Sequence, residues 1–159
     1  MILCPSSDAC HAWRGLQCAV VAMLLLVPAI SLGALGATEA SVEVDRVQFE
    51  ARRSAQPTQF YTVHELTTPN NIVREFVAPN GLVFAVTWQG PLLPDLRTLL
   101  GRHFEALRGS NRTRSPAHSK LLLESPDLVI YSEGRLRAFS GRAYLPQLVP
   151  AGVALNELR

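Results

Sequence analysis

Residues 60–107, FYTVHELTTPNNIVREFVAPNGLVFAVTWQGPLLPDLRTLLGRHFEAL, carry the clearest structural signals of this 159-residue chain. Aromatic and β-branched residues recur in short runs that turn residues separate, and this pattern is typical of β-strands. The dipeptide Asn80-Gly81 favours a two-residue hairpin loop of type I′, because both central residues of that turn need positive φ angles. The first two thirds of the stretch therefore predict an antiparallel meander.

The hairpin fixes a register between the two strands that flank it. With Asn80 and Gly81 as the loop, Val73 opposes Trp88 and Glu75 opposes Val86. The predicted core face then carries Val73, Val77, Phe84, Val86 and Trp88. Glu75 lies on the same face, and we expect a half-exposed carboxylate that lies near an edge or pairs with an arginine.

An amphipathic helix follows the meander. It is expected to begin near Pro94, with Asp95 in its first turn and an apolar stripe formed by Leu96, Leu99, Leu100, His103, Phe104 and Leu107. Residues 108–119 are predicted to form an exposed loop, and residues 120–145 a second β region with turns at Ser125-Pro126 and Glu133-Gly134. The fold class is α+β: a small antiparallel sheet, a meander plus a second hairpin, with one packed helix.

The start of the chain predicts a secretory signal peptide over residues 1–36. Arg14 precedes an apolar run, residues 16–35, and small residues allow cleavage after Gly33 or after Gly36. The alternative is an uncleaved membrane anchor, because a run of about 20 residues is long enough to span a bilayer. Residues 37–59 are predicted to be an N-terminal arm, and residues 60–159 a single α+β domain.

Composition excludes several classes of site. The three cysteines, Cys4, Cys10 and Cys18, all lie in the predicted leader, so the mature domain would have no disulfide, thiol nucleophile or thiolate zinc site. The net charge of +2 comes from scattered cations, which does not predict a nucleic-acid partner. We find no nucleophile elbow, phosphate loop or metal-ligand spacing. No catalytic, cofactor-binding or metal residue is assigned, and no cofactor is expected.

Aromatic and arginine side chains give the one hint of a binding surface. Several of them could line a common groove, although packing in the core or on the sheet is the alternative interpretation of each. The candidate residues are Tyr61, Trp88, Tyr131, Arg135, Arg137, Arg142 and Tyr144.

Two blocks of the sequence resemble a family of short bacterial exported proteins known as domain of unknown function 2844. The first block contains Tyr61-Thr62-Val63, Val73-Arg74-Glu75, residues 81–91 and Pro94-Asp95-Leu96. The second contains residues 137–146 and Pro150-Ala151-Gly152-Val153. The resemblance implies a bacterial exported protein with a cleaved signal, and it implies no activity.

The expected function is that of an exported bacterial protein, a non-catalytic binding or interaction module that is periplasmic or secreted. Its partner would be an unknown protein or small molecule of the cell envelope. Two alternatives remain open, a small periplasmic hydrolase-like enzyme and an envelope protein tethered to the membrane by an uncleaved leader.

Overall fold

Eight antiparallel strands form one continuous sheet in the part of the chain that the computed structural model describes, residues 33–108, 112–115 and 118–158. Their order is β1-β2-β3-β4-β8-β7-β6-β5, so two four-stranded halves join where β4 pairs with β8. The strands are β1 (Arg52–Pro57), β2 (Thr62–Thr67), β3 (Ile72–Val77), β4 (Val83–Gly90), β5 (Arg112–Ser115), β6 (His118–Glu124), β7 (Val129–Arg135) and β8 (Ala138–Tyr144).

Among the described residues, three short helices accompany the sheet: α1 (Ala40–Gln48), α2 (Leu96–Leu100) and α3 (Phe104–Arg108). A 3₁₀ turn, Gly101–His103, joins α2 to α3, and a second, Pro146–Leu148, follows β8. The α+β prediction is confirmed. The predicted arm, residues 37–59, contains α1 and the edge strand β1, and the predicted leader up to residue 32 lies outside the described residues.

The helices and the C-terminal segment cover opposite faces of the sheet. On the face that we call the helix face, Val42, Leu99 and Leu107 pack with Val86 and Trp88 in the larger core cluster. On the other face, the C-terminal segment covers a second cluster, built by Phe76, Ala78, Phe84, Ala85 and Leu158. The C-terminal segment covers only part of this side of the sheet. We call this side, opposite the helices, the open face.

The hairpin between β3 and β4 differs from the predicted type I′ turn. Asn80 has a negative φ, whereas Gly81 has φ +79°. The Gly81 N–H donates to the Ala78 carbonyl over 2.8 Å, and the Ala78 N–H donates to the Leu82 carbonyl over 2.9 Å. The loop therefore has three residues, a type I turn followed by a left-handed glycine, because Pro79 already supplies the φ of the first turn position.

Because of a β-bulge between β3 and β4, the residues that face the core differ from the predicted ones. Val73 pairs with Trp88 and Glu75 with Val86, as predicted, but Val77 pairs with Val83 and Phe76 with Ala85. Phe84 is the extra residue between them. The bulge moves Phe84 into the cluster under the C-terminal segment and brings Val83 to the helix face, because one inserted residue reverses the alternation of side chains.

The single predicted helix is in fact broken at Gly101. Asp95 caps α2 by accepting the Arg97 N–H over 2.9 Å, but Gly101 has φ +50°. Gly33 packs so closely on Gly101 that a Cβ on either glycine would overlap the other's backbone. The N-terminal strap, residues 33–37, occupies this place, and its backbone bonds to both the helix and β4.

The second β region is longer than its turns suggested. The Ser125 turn is present, with the Ser125 N–H donating to the Leu128 carbonyl over 2.9 Å. However, Glu133 and Gly134 lie inside β7, and the turn falls at Leu136 and Arg137, the latter with φ +61°. Residues 112–115, predicted as part of a loop, form β5 through pairing with β6.

Candidate functional site

A groove of about 910 Å³ crosses the open face of the sheet. Cross-strand pairing places one row of side chains along its floor, running from Thr67 and Ile72 through Gln89 and Ser140 to Glu133 and Lys120. The β2–β3 turn forms one end, and the tip of the β7–β8 hairpin forms the other. The floor is thus made of rigid strands, and loops form its ends.

The lining of the groove carries more positive than negative charge. Lys120, Arg135 and Arg137 are the cations, and Glu133 is the carboxylate. The Tyr131 hydroxyl donates to Glu133 Oε2 over 2.7 Å, so part of the Glu133 charge is already engaged within the sheet. The two arginines are exposed, and no ion pair to either is seen among the described residues.

A smaller depression of about 400 Å³ adjoins the groove under the C-terminal end. Arg74 and Arg142 flank Thr87 there, in the next row of the sheet. Arg74 donates to Glu65 Oε2 over 2.8 Å. Arg142 Nη1 donates to the Leu155 carbonyl over 3.1 Å, whereas its Nε is buried without an acceptor.

The seven predicted surface residues separate into two groups. Arg135 and Arg137 line the groove, and Trp88, Tyr131 and Arg142 belong to the adjoining depression. Tyr61 and Tyr144 instead pack on the core cluster under the C-terminal segment, and the Tyr61 ring stands edge-on to Phe76 with centroids 5.7 Å apart. A role of the first group in binding stays a prediction.

The aromatic residues of that first group offer little free ring surface. Trp88 is only 2% exposed and packs in the core of the helix face. The Lys120 ammonium lies 5.5 Å from the centroid of the Tyr131 ring and covers it. The groove therefore offers cationic side chains but little free aromatic ring, whereas the sequence suggested a surface of aromatic and arginine side chains together. Sequence reasoning missed Gln89, Ser140 and Lys120, which the strand pairing alone brings into one row.

A second polar group lies buried beneath α1. Glu75 is fully buried, and Asp45 on α1 is 1% exposed. The two carboxyl groups face each other, and apart from the pair itself no donor among the described residues reaches any of their four oxygens. The prediction of a half-exposed, arginine-paired Glu75 is wrong, because α1 covers this part of the sheet.

Burial dominates the ionisation of this pair. Desolvation, and then the Asp45 charge, raise the pKa of Glu75 to about 8. Desolvation likewise raises the pKa of Asp45 to about 7. A carboxyl group in such a place keeps its proton near neutral pH and donates it to its partner.

His64 and Arg53 lie next to the buried carboxyl pair, on the same face of the sheet. His64 is opposite Glu75 in the sheet and 1% exposed. Its Nδ1 accepts from Arg53 Nε over 3.3 Å, and its Nε2 lies 3.0 Å from Glu39 Oε1. Burial, and then the Arg53 charge, lower the pKa of His64. His64 is therefore neutral near pH 7 and bridges the arginine to Glu39.

Neither depression reaches this buried group. His64, Glu75 and Asp45 are absent from the lining of both, and Glu65, the other carboxylate near them in sequence, points to the open face and pairs with Arg74. In the described part of the chain, no set of three or more acidic, histidine or cysteine side chains is arranged to hold a metal ion.

Comparison with known families gives one match, to the family described as protein of unknown function (DUF2844), over residues 31–158. The chain belongs to this family. No curated protein and no solved structure matches it. The match to DUF2844 begins before the N-terminal strap and includes α1 and β1, so the strap, the helices and the whole sheet fall within the family region.

No helix among residues 33–108 and 118–158 has the length and apolar character needed to cross a membrane. The apolar run at residues 16–35, which the sequence assigns to the leader, lies almost entirely outside the described residues.

Proposed function

We propose that this DUF2844 protein is an exported bacterial binding module that acts in the periplasm or outside the cell, with the groove on the open face as its binding surface. The groove carries the proposal: it is about 910 Å³, it lies on a rigid sheet, and three cations face it against one carboxylate. Binding sites are concave and present a few polar groups on a fixed scaffold. The only other ionisable cluster described above is buried beneath α1 and is not open to a substrate.

Export is tested by the start of the mature chain, which we expect at Ala34. Ala34 is fully buried and Leu35 is 2% exposed. The Leu35 N–H donates to the Leu99 carbonyl over 3.1 Å, and the Gly36 N–H donates to the Val83 carbonyl over 2.8 Å. Cleavage after Gly33 keeps these bonds, whereas cleavage after Gly36 removes them together with a buried leucine that contributes about 2 kcal/mol.

The measurement is intact mass and N-terminal sequencing of protein recovered separately from periplasm, medium and membrane. The melting temperature of a purified chain that begins at Ala37 should be about 5 °C or more below that of a chain that begins at Ala34. A full-length product confined to the membrane would contradict cleavage. Equal melting temperatures would contradict the role assigned to the strap.

The groove is tested by photo-crosslinking from Ala138, an exposed residue of its lining. A photoreactive amino acid at this position should give adducts in the compartment where the protein resides. Val47 is the matched control, because it is 60% exposed on α1, across the sheet from the groove. We expect adducts at Ala138 only, with loss of them in the double variant Arg135→Glu, Arg137→Glu. Equal adducts at both positions, or none at Ala138, would contradict a groove-centred function.

A further inference from the structure

The length of the groove determines what shape of ligand fits. Its floor row runs through β2, β3, β4, β8, β7 and β6, and neighbouring strands lie about 4.8 Å apart, so the row spans roughly 24 Å. An extended peptide rises about 3.3 Å per residue. A segment on the order of seven residues therefore fills the row and lies across the strands.

The charge of the groove determines the charge of the ligand. Arg135 and Arg137 are exposed at the hairpin tip, and Lys120 lies beside them on the floor. The Glu133 carboxylate is already bonded to the Tyr131 hydroxyl. Carboxylates on the ligand would pair with these donors, and positive charge there would be repelled.

Apolar side chains near the groove indicate a peptide instead of an acidic polysaccharide. Leu92 and Leu93, which follow the lining residue Pro91, are 53% and 47% exposed, and Leu136, between the two arginines, is 92% exposed. Sugar rings usually stack on free aromatic faces. Phe139 is the one aromatic residue of the described lining and is half-buried, and Lys120 covers the nearby Tyr131 ring.

We propose that the groove binds an extended acidic peptide segment with interspersed aliphatic residues, carried by a partner protein of the cell envelope. This inference rests on the proposed function and specifies its ligand. The acidic residues of the segment pair with Arg135, Arg137 and Lys120 at the β6–β8 end, and its aliphatic residues contact the exposed leucines.

The test uses a purified chain that begins at Ala34 and fluorescent peptides of about nine residues that alternate glutamate with leucine. Two controls have glutamine or lysine in place of glutamate. We expect the acidic peptide to bind about tenfold or more tightly than the glutamine peptide, with affinity falling as salt is added. Amide chemical-shift changes should concentrate on the floor row.

Charge reversal locates the contact. The double variant Arg135→Glu, Arg137→Glu should weaken binding by about tenfold or more. The matched variant Arg97→Glu, Arg102→Glu changes the same charge on exposed residues of the helix face and should leave the affinity unchanged. Melting temperatures of both variants establish that they fold.

The possible failures are distinct. Binding of polygalacturonate at the groove without binding of the acidic peptide overturns the peptide inference and leaves the binding function standing. Equal affinity for the glutamine and acidic peptides overturns the charge argument alone. If the peptides and polygalacturonate all fail to shift groove resonances and Ala138 gives no adducts in cells, the inference and the proposed function both fall.

Discussion

Raising the pH from about 6.5 to about 8 should lower the free energy of unfolding of this protein by about 2 kcal/mol. The cause is the buried pair of carboxyl groups beneath α1. Burial raises the pKa of Glu75 to about 8 and that of Asp45 to about 7, from ordinary values near 4. As the pH rises, ionisation of the pair becomes costly in the folded protein, because the proton between the two groups is lost and no other described residue donates to the four oxygens.

The sign follows from which state holds more protons. The folded state keeps the protons of Asp45 and Glu75 above the pH at which the unfolded chain has lost them, so stability falls as the pH rises through about 7 and about 8. His64 acts in the opposite direction, because its pKa is lowered on burial. The unfolded chain takes up a proton on this histidine only as the pH falls below about 6.5, and stability is lost there. Above that pH, the change in stability therefore reports mainly the carboxyl pair.

Glu75→Gln should remove most of this pH dependence, because an amide supplies a donor to Asp45 and does not ionise. The variant is expected to be at least as stable as the natural protein near pH 8. Glu65→Gln is the matched control: Glu65 is on the neighbouring strand, but on the open face and paired with Arg74, and its variant should keep the natural slope. Chemical denaturation across the window measures both. A free energy of unfolding that rises toward pH 8, or a pH dependence that Glu75→Gln leaves unchanged, would contradict the role of the carboxyl pair.

Gly141→Val should destabilise the protein by more than about 3 kcal/mol and reduce the yield of folded chain. Gly141 pairs with Trp88 across the β4–β8 junction, where the two halves of the sheet meet. A Cβ on Gly141 would overlap the Trp88 ring and lie 2.7 Å from the Tyr131 carbonyl oxygen. The ring is 2% exposed and packs among core residues, so a shift of the ring would disturb its neighbours.

A double-mutant cycle tests this explanation. Gly141→Ala alone should lower the free energy of unfolding by about 2 kcal/mol. In a protein that already carries Trp88→Leu, the same substitution should lower it by less, because the overlapping ring is gone. Ser140→Ala is the control at the next position of β8, on the open face of the sheet, and should change stability by less than about 0.5 kcal/mol. A Gly141→Ala variant as stable as the natural protein would show that the junction tolerates a side chain.

Local patterns in the sequence determined several features correctly. Alternation of residue types predicted β3 and β4, and it predicted their pairing near Glu75 and Trp88. The Ser125 turn also follows from the chemistry of a single side chain. Asp95 lies at the start of α2 as expected, although as its N-cap and not in its first turn. These features depend on residues within a few positions of one another, so a linear pattern contains the information that specifies them.

The features that the sequence did not reveal depend on residues far apart in the chain. Pairing of β4 with β8 joins the halves of the sheet and brings Gln89, Ser140 and Lys120 into one groove floor. Packing of α1 turns Glu75 from an expected surface carboxylate into a buried acid facing Asp45. Periodicity predicts which side chains share a face, but only the tertiary structure decides what covers that face, because cover and desolvation come from distant segments.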